Sequence, residues 1–213
     1  QRYSSLSYDP NIRDDPFGYK IDSSQSPIKI ANYYGVGGST ILYSAQYPRF
    51  HTSDFSTYST DGVGVDWPIT YFDLKKYYEI DQRITGVAGL VGDPFYSDIN
   101  NLLPPVPLGP MGKKLAKAFK LLNWHCWPAY SAIATIPYDG RPVDTFERPS
   151  NLGDVTGAKA SSDKTYLPKA EKEGLILRTN CIVTKLETIE NKIKYINFID
   201  EKGNYQTANS KIY

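Results

Sequence analysis

The hydrophobic period of the chain changes near residue 174. Before this point apolar residues recur at helical spacing, and after it short apolar runs alternate with turn residues. Such runs are typical of strands joined by tight turns. The runs are residues 175–177, 181–183, 193–199 and 205 onward, with turns near 191 and at 202–204, and residues 211–213 resemble the start of a further strand. The pattern predicts a mixed α/β chain with a three-stranded antiparallel region within 175–213.

Two helices are predicted in the preceding part of the chain. Thr70 and Asp73 have the spacing of a capping box, which predicts a helix over 71–84. Pro110 suits the first turn of a second helix over 111–123. Apolar residues form one face of that second helix and lysines lie elsewhere on it: Leu115, Phe119 and Leu122 against Lys113, Lys117 and Lys120. Residues 1–30 and 137–163 are rich in turn-forming residues and are expected to be irregular.

Composition excludes several functional classes. Lys+Arg number 24 and Asp+Glu 23 in 213 residues, a balance that argues against a dedicated nucleic-acid binder. No apolar run approaches the ~18–20 residues of a membrane-spanning helix. Cys126 and Cys181 are far apart, so neither a zinc site nor a disulfide framework is indicated. The amino-terminal residues show no secretory signal pattern and do not begin with Met, which leaves localisation open.

The strongest local signal is a glycine cluster at residues 35–40, Gly-Val-Gly-Gly-Ser-Thr. Glycines allow positive φ and close approach of the backbone to a ligand, and an apolar helix after them would offer N–H groups to a diphosphate. A plain glycine-rich turn is the alternative. The cluster is not the dinucleotide fingerprint G-x-G-x-x-G, which occurs nowhere in these residues.

The sequence that follows the cluster resembles the glucose–methanol–choline oxidoreductases over roughly residues 30–213. The matching blocks occur in the order of that family: the glycine turn with an apolar stretch and Arg49, Asp66-Trp67 with a helix of the type Asp-Leu-x-x-Tyr-Tyr, residues 123–128 (Asn-Trp-His-Cys-Trp-Pro), residues 137–141 followed by 157–161 (Gly-Ala-Lys-Ala-Ser), and Arg178-x-Asn180-Cys181-x-Val183. The resemblance implies an FAD-dependent enzyme that oxidises an alcohol or sugar hydroxyl by hydride transfer to the flavin.

The resemblance also assigns cofactor-binding residues. It places Gly37, Gly38, Ser39 and Thr40 along the diphosphate and ribityl chain of FAD, and Tyr43, Ser44, Ala45 and Gln46 beneath the isoalloxazine ring. The backbone of Val183 would hold the adenine, although a Val in an apolar strand is also an ordinary core residue. Tyr43 departs from the Asn that is common in the family. Leu42 matches the position of a tethering His in some members, so the FAD is expected to be non-covalent.

Other titratable residues are expected to be structural. His51 and His125 lie outside the catalytic motif of the family, and His125 is expected to be a structural or cleft-wall residue. Asp144, Ser150 and Asp154 match positions that are cysteines in a related subfamily, so no iron–sulfur centre or cysteine-ligated metal is expected. Asp144 and Asp154 could also be a carboxylate pair, but paired loop aspartates are mostly solvated.

As a whole, the chain is expected to be an internal part of the FAD-binding domain of such an enzyme. The resemblance implies a Rossmann-like fold that lacks its first βαβ unit, with residues 31–90 covering FAD, 91–173 forming a loop-rich cleft region and 174–213 returning strands to the FAD domain. The catalytic His pair is expected outside this chain, so the isolated chain should be inactive. The partner is a small alcohol or sugar, and the electron acceptor stays open. The alternative is a non-catalytic binding or interaction protein on the same scaffold.

Overall fold

A computed structural model describes residues 24–27, 33–96, 98–147 and 150–209. The chain divides into two compact units, one of residues 40–167 and one that combines residues 1–39 with 168–213. The helices are α1 (Thr57–Asp61), α2 (Tyr71–Thr85), α3 (Pro110–Leu121) and α4 (Tyr166–Lys172), with short 3-10 turns at Gly38–Ile41, Thr52–Phe55 and Ser150–Leu152. The strands are β1 (Ile182–Ile189), β2 (Lys192–Ile199) and β3 (Tyr205–Ala208).

The three strands form one antiparallel sheet in the order β1-β2-β3. The turn between β1 and β2 consists of Glu190 and Asn191, both at positive φ (50° and 62°), which is the geometry that suits a two-residue hairpin. The mixed α/β composition and the three-stranded region are therefore confirmed. The strand prediction for residues 175–177 is wrong, because this apolar run pairs with no strand in the described part of the chain and Ile176 is 84% exposed. Residues 1–23 and 211–213 lie outside the described residues.

The predicted helices are both present. α2 begins at its predicted capping box, where the Asp73 carboxylate accepts the Thr70 N–H at 2.8 Å and the Thr70 hydroxyl at 2.8 Å. These bonds from Thr70 hold the pKa of Asp73 below its ordinary value. α3 begins at Pro110 as predicted, but it ends at Leu121 and buries no residue fully. Its apolar face is open, because Leu115 is 50% and Leu122 56% exposed.

Replacing Thr70 by alanine should therefore weaken the start of α2. The expected loss is about 1 kcal/mol of unfolding free energy, the usual cost of an N-cap side chain. Thr70→Ser keeps the hydroxyl and should unfold close to the wild type in a denaturant titration. Equal midpoints for the alanine and wild-type proteins would show that the capping box contributes nothing.

The 40–167 unit is built from short extended segments that bridge one another. Bridges join Gln46 to Ser131, Ala88 to Ser131 and Leu103, and Ile133 to Lys159. Small side chains allow these backbones to pack closely, and the alanines among them are completely or almost completely buried: Ala45, Ala88, Ala132, Ala134, Ala158 and Ala160. An apolar cluster of Val87, Ile99 and Tyr130 packs beside them. Within the described ranges, no helix has the length and apolar character needed to cross a bilayer.

Candidate cofactor-binding site

The glycine cluster forms a tight turn. The Gly38 N–H donates to the Gly35 carbonyl at 2.8 Å, and Gly37 and Gly38 have φ values of 94° and 55°. A Cβ at Gly35 would lie 2.8 Å from the Tyr33 ring, whereas a Cβ at Gly38 would meet no protein atom within 4 Å. The Ser39 hydroxyl accepts the Tyr33 N–H at 3.3 Å. The turn therefore leaves open space beside the backbone at Gly38.

No long apolar helix follows this turn. The next element is the single 3-10 turn Gly38–Ile41, which is too short to provide the aligned dipoles of an α-helix N-terminus. An anion bound here would therefore not be held by the N-terminus of an α-helix. The structure therefore does not support a diphosphate site at a helix N-terminus. The turn is compatible with close approach of its backbone to a ligand.

A cavity of about 540 Å³ adjoins the turn within the unit of residues 1–39 and 168–213. It is lined on one side by residues 33–36 and on the other by residues 177–182. Two of the sequence blocks, the glycine cluster and the Arg178 block, therefore meet at one cavity. Val183 follows the lining residues in β1, where its Cα is paired with that of Phe198, and it is 44% exposed. The volume falls within the ~300–1,000 Å³ of small-molecule sites.

Residues 40–46 belong to the other unit, where they are fixed to residues 158–162. The Thr40 Oγ1 and Ser162 Oγ lie 3.1 Å apart, and the Thr40 Oγ1 accepts the Ser162 N–H at 3.0 Å. The Tyr43 hydroxyl donates to the Ala160 carbonyl at 3.0 Å. Burial raises the pKa of Tyr43 to about 12, so this phenol stays a protonated donor at neutral pH.

The four predicted ring-facing residues have different environments. Tyr43 is half-buried and Ala45 completely buried, while Ser44 and Gln46 are exposed. Ala45 has a φ of 60°, a left-handed conformation that is costly for an L-residue, and its carbonyl accepts the Ala132 N–H at 2.9 Å. The segment is therefore held in a strained shape by its neighbours. Leu42 is 4% exposed and belongs to the core.

Lys159 is a buried residue that supports this segment, and its burial was not predicted from the sequence. It is 1% exposed, and its ammonium donates to the carbonyls of Ile41 at 2.7 Å, Tyr43 at 3.1 Å and Ser150 at 2.7 Å. The one sequence feature that indicates burial of Lys159 is its position between Ala158 and Ala160, because small side chains allow neighbouring backbones to pack closely. Two of its hydrogen-bond partners, Ile41 and Tyr43, are more than 100 residues away in sequence, and no local sequence pattern reveals such a contact.

The histidines and the aspartate pair have structural partners. His125 Nε2 lies 2.9 Å from the buried Asp93 carboxylate, and its ring stacks on Trp127. His51 stacks on Tyr96 with centroids 4.3 Å apart. Asp154 accepts the N–H groups of Thr156 and Lys159, while Asp144 accepts that of Phe146. Among the described residues, no group of three or more His, Cys, Asp or Glu could hold a metal ion.

Similarity to named proteins extends along the whole chain. No protein-family model matches it. It is 36% identical over its full length to 2-methyl-1,2-propanediol dehydrogenase from Mycolicibacterium austroafricanum, of which it covers 39%. It is 30% identical over 78% of its length to the fructose dehydrogenase large subunit from Gluconobacter japonicus and 31% identical over 71% to 6'''-hydroxyparomomycin C oxidase from Streptomyces lividus.

These relatives are all named as dehydrogenases or oxidases. The chain spans 29–39% of the length of each of them. The first of these matches nevertheless covers 100% of the chain, so it includes the complete unit of residues 40–167. The chain is thus similar to a segment of oxidoreductases that are named for 2-methyl-1,2-propanediol, fructose and 6'''-hydroxyparomomycin C.

Proposed function

We propose that this chain is part of an FAD-dependent oxidoreductase of the glucose–methanol–choline family that oxidises an alcohol or sugar CH–OH group. The observation that carries the proposal is the full-length similarity to a dehydrogenase named for an alcohol, 2-methyl-1,2-propanediol. Fructose dehydrogenase and the paromomycin-type oxidase extend the class to sugar-like polyols. When bound, FAD supplies the chemistry, because it accepts the hydride from the substrate carbon.

In the unit of residues 1–39 and 168–213, several residues are suited to the diphosphate and adenosine part of FAD. Gly37, Gly38 and Ser39 lie along the diphosphate, and the backbone of Val183 lies near the adenine. Two features support this assignment: the open space beside Gly38 and the cavity between residues 33–36 and 177–182. Backbone N–H groups and small side chains bind a diphosphate without adding charge to the site. The surrounding domain is then of the Rossmann-like FAD-binding class.

In the unit of residues 40–167, other residues are suited to orient the isoalloxazine ring. Thr40 continues the contact with the ribityl chain, and Tyr43, Ser44, Ala45 and Gln46 lie at the ring. Support comes from the rigid, hydrogen-bonded course of this segment, because a ring can be oriented only by a surface that does not move. The Tyr43 hydroxyl donates to the Ala160 carbonyl, so Tyr43 offers the flavin its aromatic side chain rather than a free proton donor.

The first experiment tests for the cofactor and its attachment. The protein produced from its natural reading frame is purified, its absorbance spectrum is recorded, and it is precipitated with acid. We expect a flavin spectrum and complete release of intact FAD into the supernatant, because Leu42 is a buried aliphatic residue at the position of the tether. Flavin fluorescence that stays with the precipitate would contradict a non-covalent FAD.

The second experiment tests the reaction. Reduction of an artificial electron-accepting dye is measured with a panel of diols, sugars and primary alcohols, and free FAD serves as the control. We expect dye reduction that depends on the alcohol and is stopped by removal of the flavin. A purified protein without flavin and without turnover would instead favour a non-catalytic binding protein on the same scaffold.

A further inference from the structure

The side chain of Lys159 places a positive charge inside the 40–167 unit. All three ammonium protons are used, each by a backbone carbonyl, and the side chain is almost completely removed from solvent. Two of the three carbonyls, those of Ile41 and Tyr43, flank Leu42 at the start of the segment that the proposed function assigns to the flavin ring. The third belongs to Ser150, so the ammonium also ties this segment to a separate loop.

Burying an ammonium is costly. Desolvation lowers the pKa of Lys159, and the charges of Asp154 and Asp163 oppose this effect. A buried charge costs several kcal/mol that hydrogen bonds must offset. An aliphatic side chain of similar length would fill the same space without that desolvation cost, but it would donate no hydrogen bond to the carbonyls of Ile41 and Tyr43. Packing alone therefore does not require a lysine here, and its charge and three-fold donation call for a further reason.

The geometry gives two such reasons. Three donors that converge on carbonyls fix the course of residues 41–43, and thereby support the left-handed Ala45 two residues later. A fixed charge in a dry site also acts strongly on any charge that develops nearby, since screening by water is weak there. An oxidised flavin ring is neutral, and the two-electron reduced ring becomes an anion when it has lost a proton. A buried cation beside the ring segment favours the reduced form.

We propose that Lys159 is a positioning residue that both orders the ring-facing segment and raises the reduction potential of the flavin bound there. This inference rests on the proposed function. It assigns to Lys159 an electrostatic effect in addition to a structural one, so potential and stability must be measured separately.

The test compares Lys159→Met with Lys159→Arg in the flavin-loaded protein. Methionine keeps the length and removes the charge and the donors. Arginine keeps the charge, but its planar fork does not match three carbonyls around one nitrogen. Lys117→Met is the matched control, because Lys117 is an exposed lysine of α3 in the same 40–167 unit. The readouts are flavin per protein, midpoint potential and thermal unfolding.

We expect Lys159→Met to lower the midpoint potential and Lys159→Arg to stay near the wild type. A tenfold loss in the preference of the site for the reduced flavin corresponds to about 30 mV for a two-electron couple. Both variants should unfold at lower temperature and lose part of their flavin, because both disturb the three carbonyl contacts. Lys117→Met should change neither the potential nor the flavin content.

A potential unchanged in Lys159→Met, measured on protein that retains flavin, would overturn the electrostatic role. If Lys159→Met does not fold, Asp163→Asn provides the second test, since it removes a negative charge that acts on Lys159. That variant should raise the potential, and an unchanged value would again overturn the inference. A wild-type protein without flavin would overturn the proposed function itself and this role with it. A flavoprotein whose potential does not depend on Lys159 would overturn the role of Lys159 alone.

Discussion

Replacing Gly38 by valine is expected to leave the purified protein without bound flavin. Gly38 has a φ of 55°, and a Cβ there would point into space that no protein atom occupies within 4 Å. If FAD passes this backbone, the branched side chain takes the place of the cofactor. We expect flavin affinity to fall at least about tenfold, which is ~1.4 kcal/mol of binding free energy.

The same substitution also strains the backbone, so a matched control is needed. Gly203 lies in the same unit at a φ of 82°, likewise with no atom within 4 Å of a built Cβ, in the turn before β3. Valine in a left-handed conformation costs roughly 1–2 kcal/mol at either position. Both variants should therefore unfold at lower denaturant concentration, while only Gly38→Val should lose flavin.

The measurement is the ratio of flavin absorbance to protein in the freshly purified variants. A Gly38→Val protein that keeps the flavin stoichiometry of Gly203→Val would contradict the assignment of the diphosphate to this turn. Loss of flavin from both variants would show that retention follows overall stability rather than local contact.

Local sequence signals predicted the elements that depend on local interactions. The capping box at Thr70 and Pro110 at the start of α3 involve residues within one turn, so their spacing alone specifies the helix starts. The β1–β2 hairpin follows in the same way from its two-residue turn. The error at residues 175–177 has a physical reason, because a continuous apolar run carries no alternation and becomes a strand only if a partner pairs with it.

The candidate site also has one part that local sequence predicts and one part that it does not. The glycine turn was identifiable because positive φ at Gly37 and Gly38 is a local property of glycine. The segment 40–46 is shaped instead by contacts with residues 131–132 and 158–162, which are distant in sequence. Buried cations such as Lys159 and Arg141 complete these contacts, and a lysine or arginine in a sequence does not reveal whether it is buried.

Arg141 should be the strongest single support of the 40–167 unit after Lys159. It is 5% exposed, and its guanidinium donates to the Ala158 carbonyl at 3.0 Å and to the Thr85 carbonyl at the end of α2. Burial lowers its pKa, while the charge of Asp139 opposes this effect. The side chain therefore joins the carboxyl end of a helix to the strand-like segment that carries Lys159.

Replacing Arg141 by methionine keeps the aliphatic stem and removes one donor from each carbonyl. The Ala158 carbonyl still accepts the Ala134 N–H at 3.0 Å, whereas the Thr85 carbonyl loses the donor that Arg141 supplied. An unsatisfied buried carbonyl costs ~1–3 kcal/mol, so the unfolding free energy should fall by about 1–3 kcal/mol. Arg83→Met is the control, since Arg83 is exposed in the last turn of α2 and its loss should cost less than ~0.5 kcal/mol. All three tryptophans, Trp67, Trp124 and Trp127, lie within 40–167, so their fluorescence in a urea titration reports this unit. Equal midpoints for the two variants would mean that the guanidinium of Arg141 does not hold the end of α2.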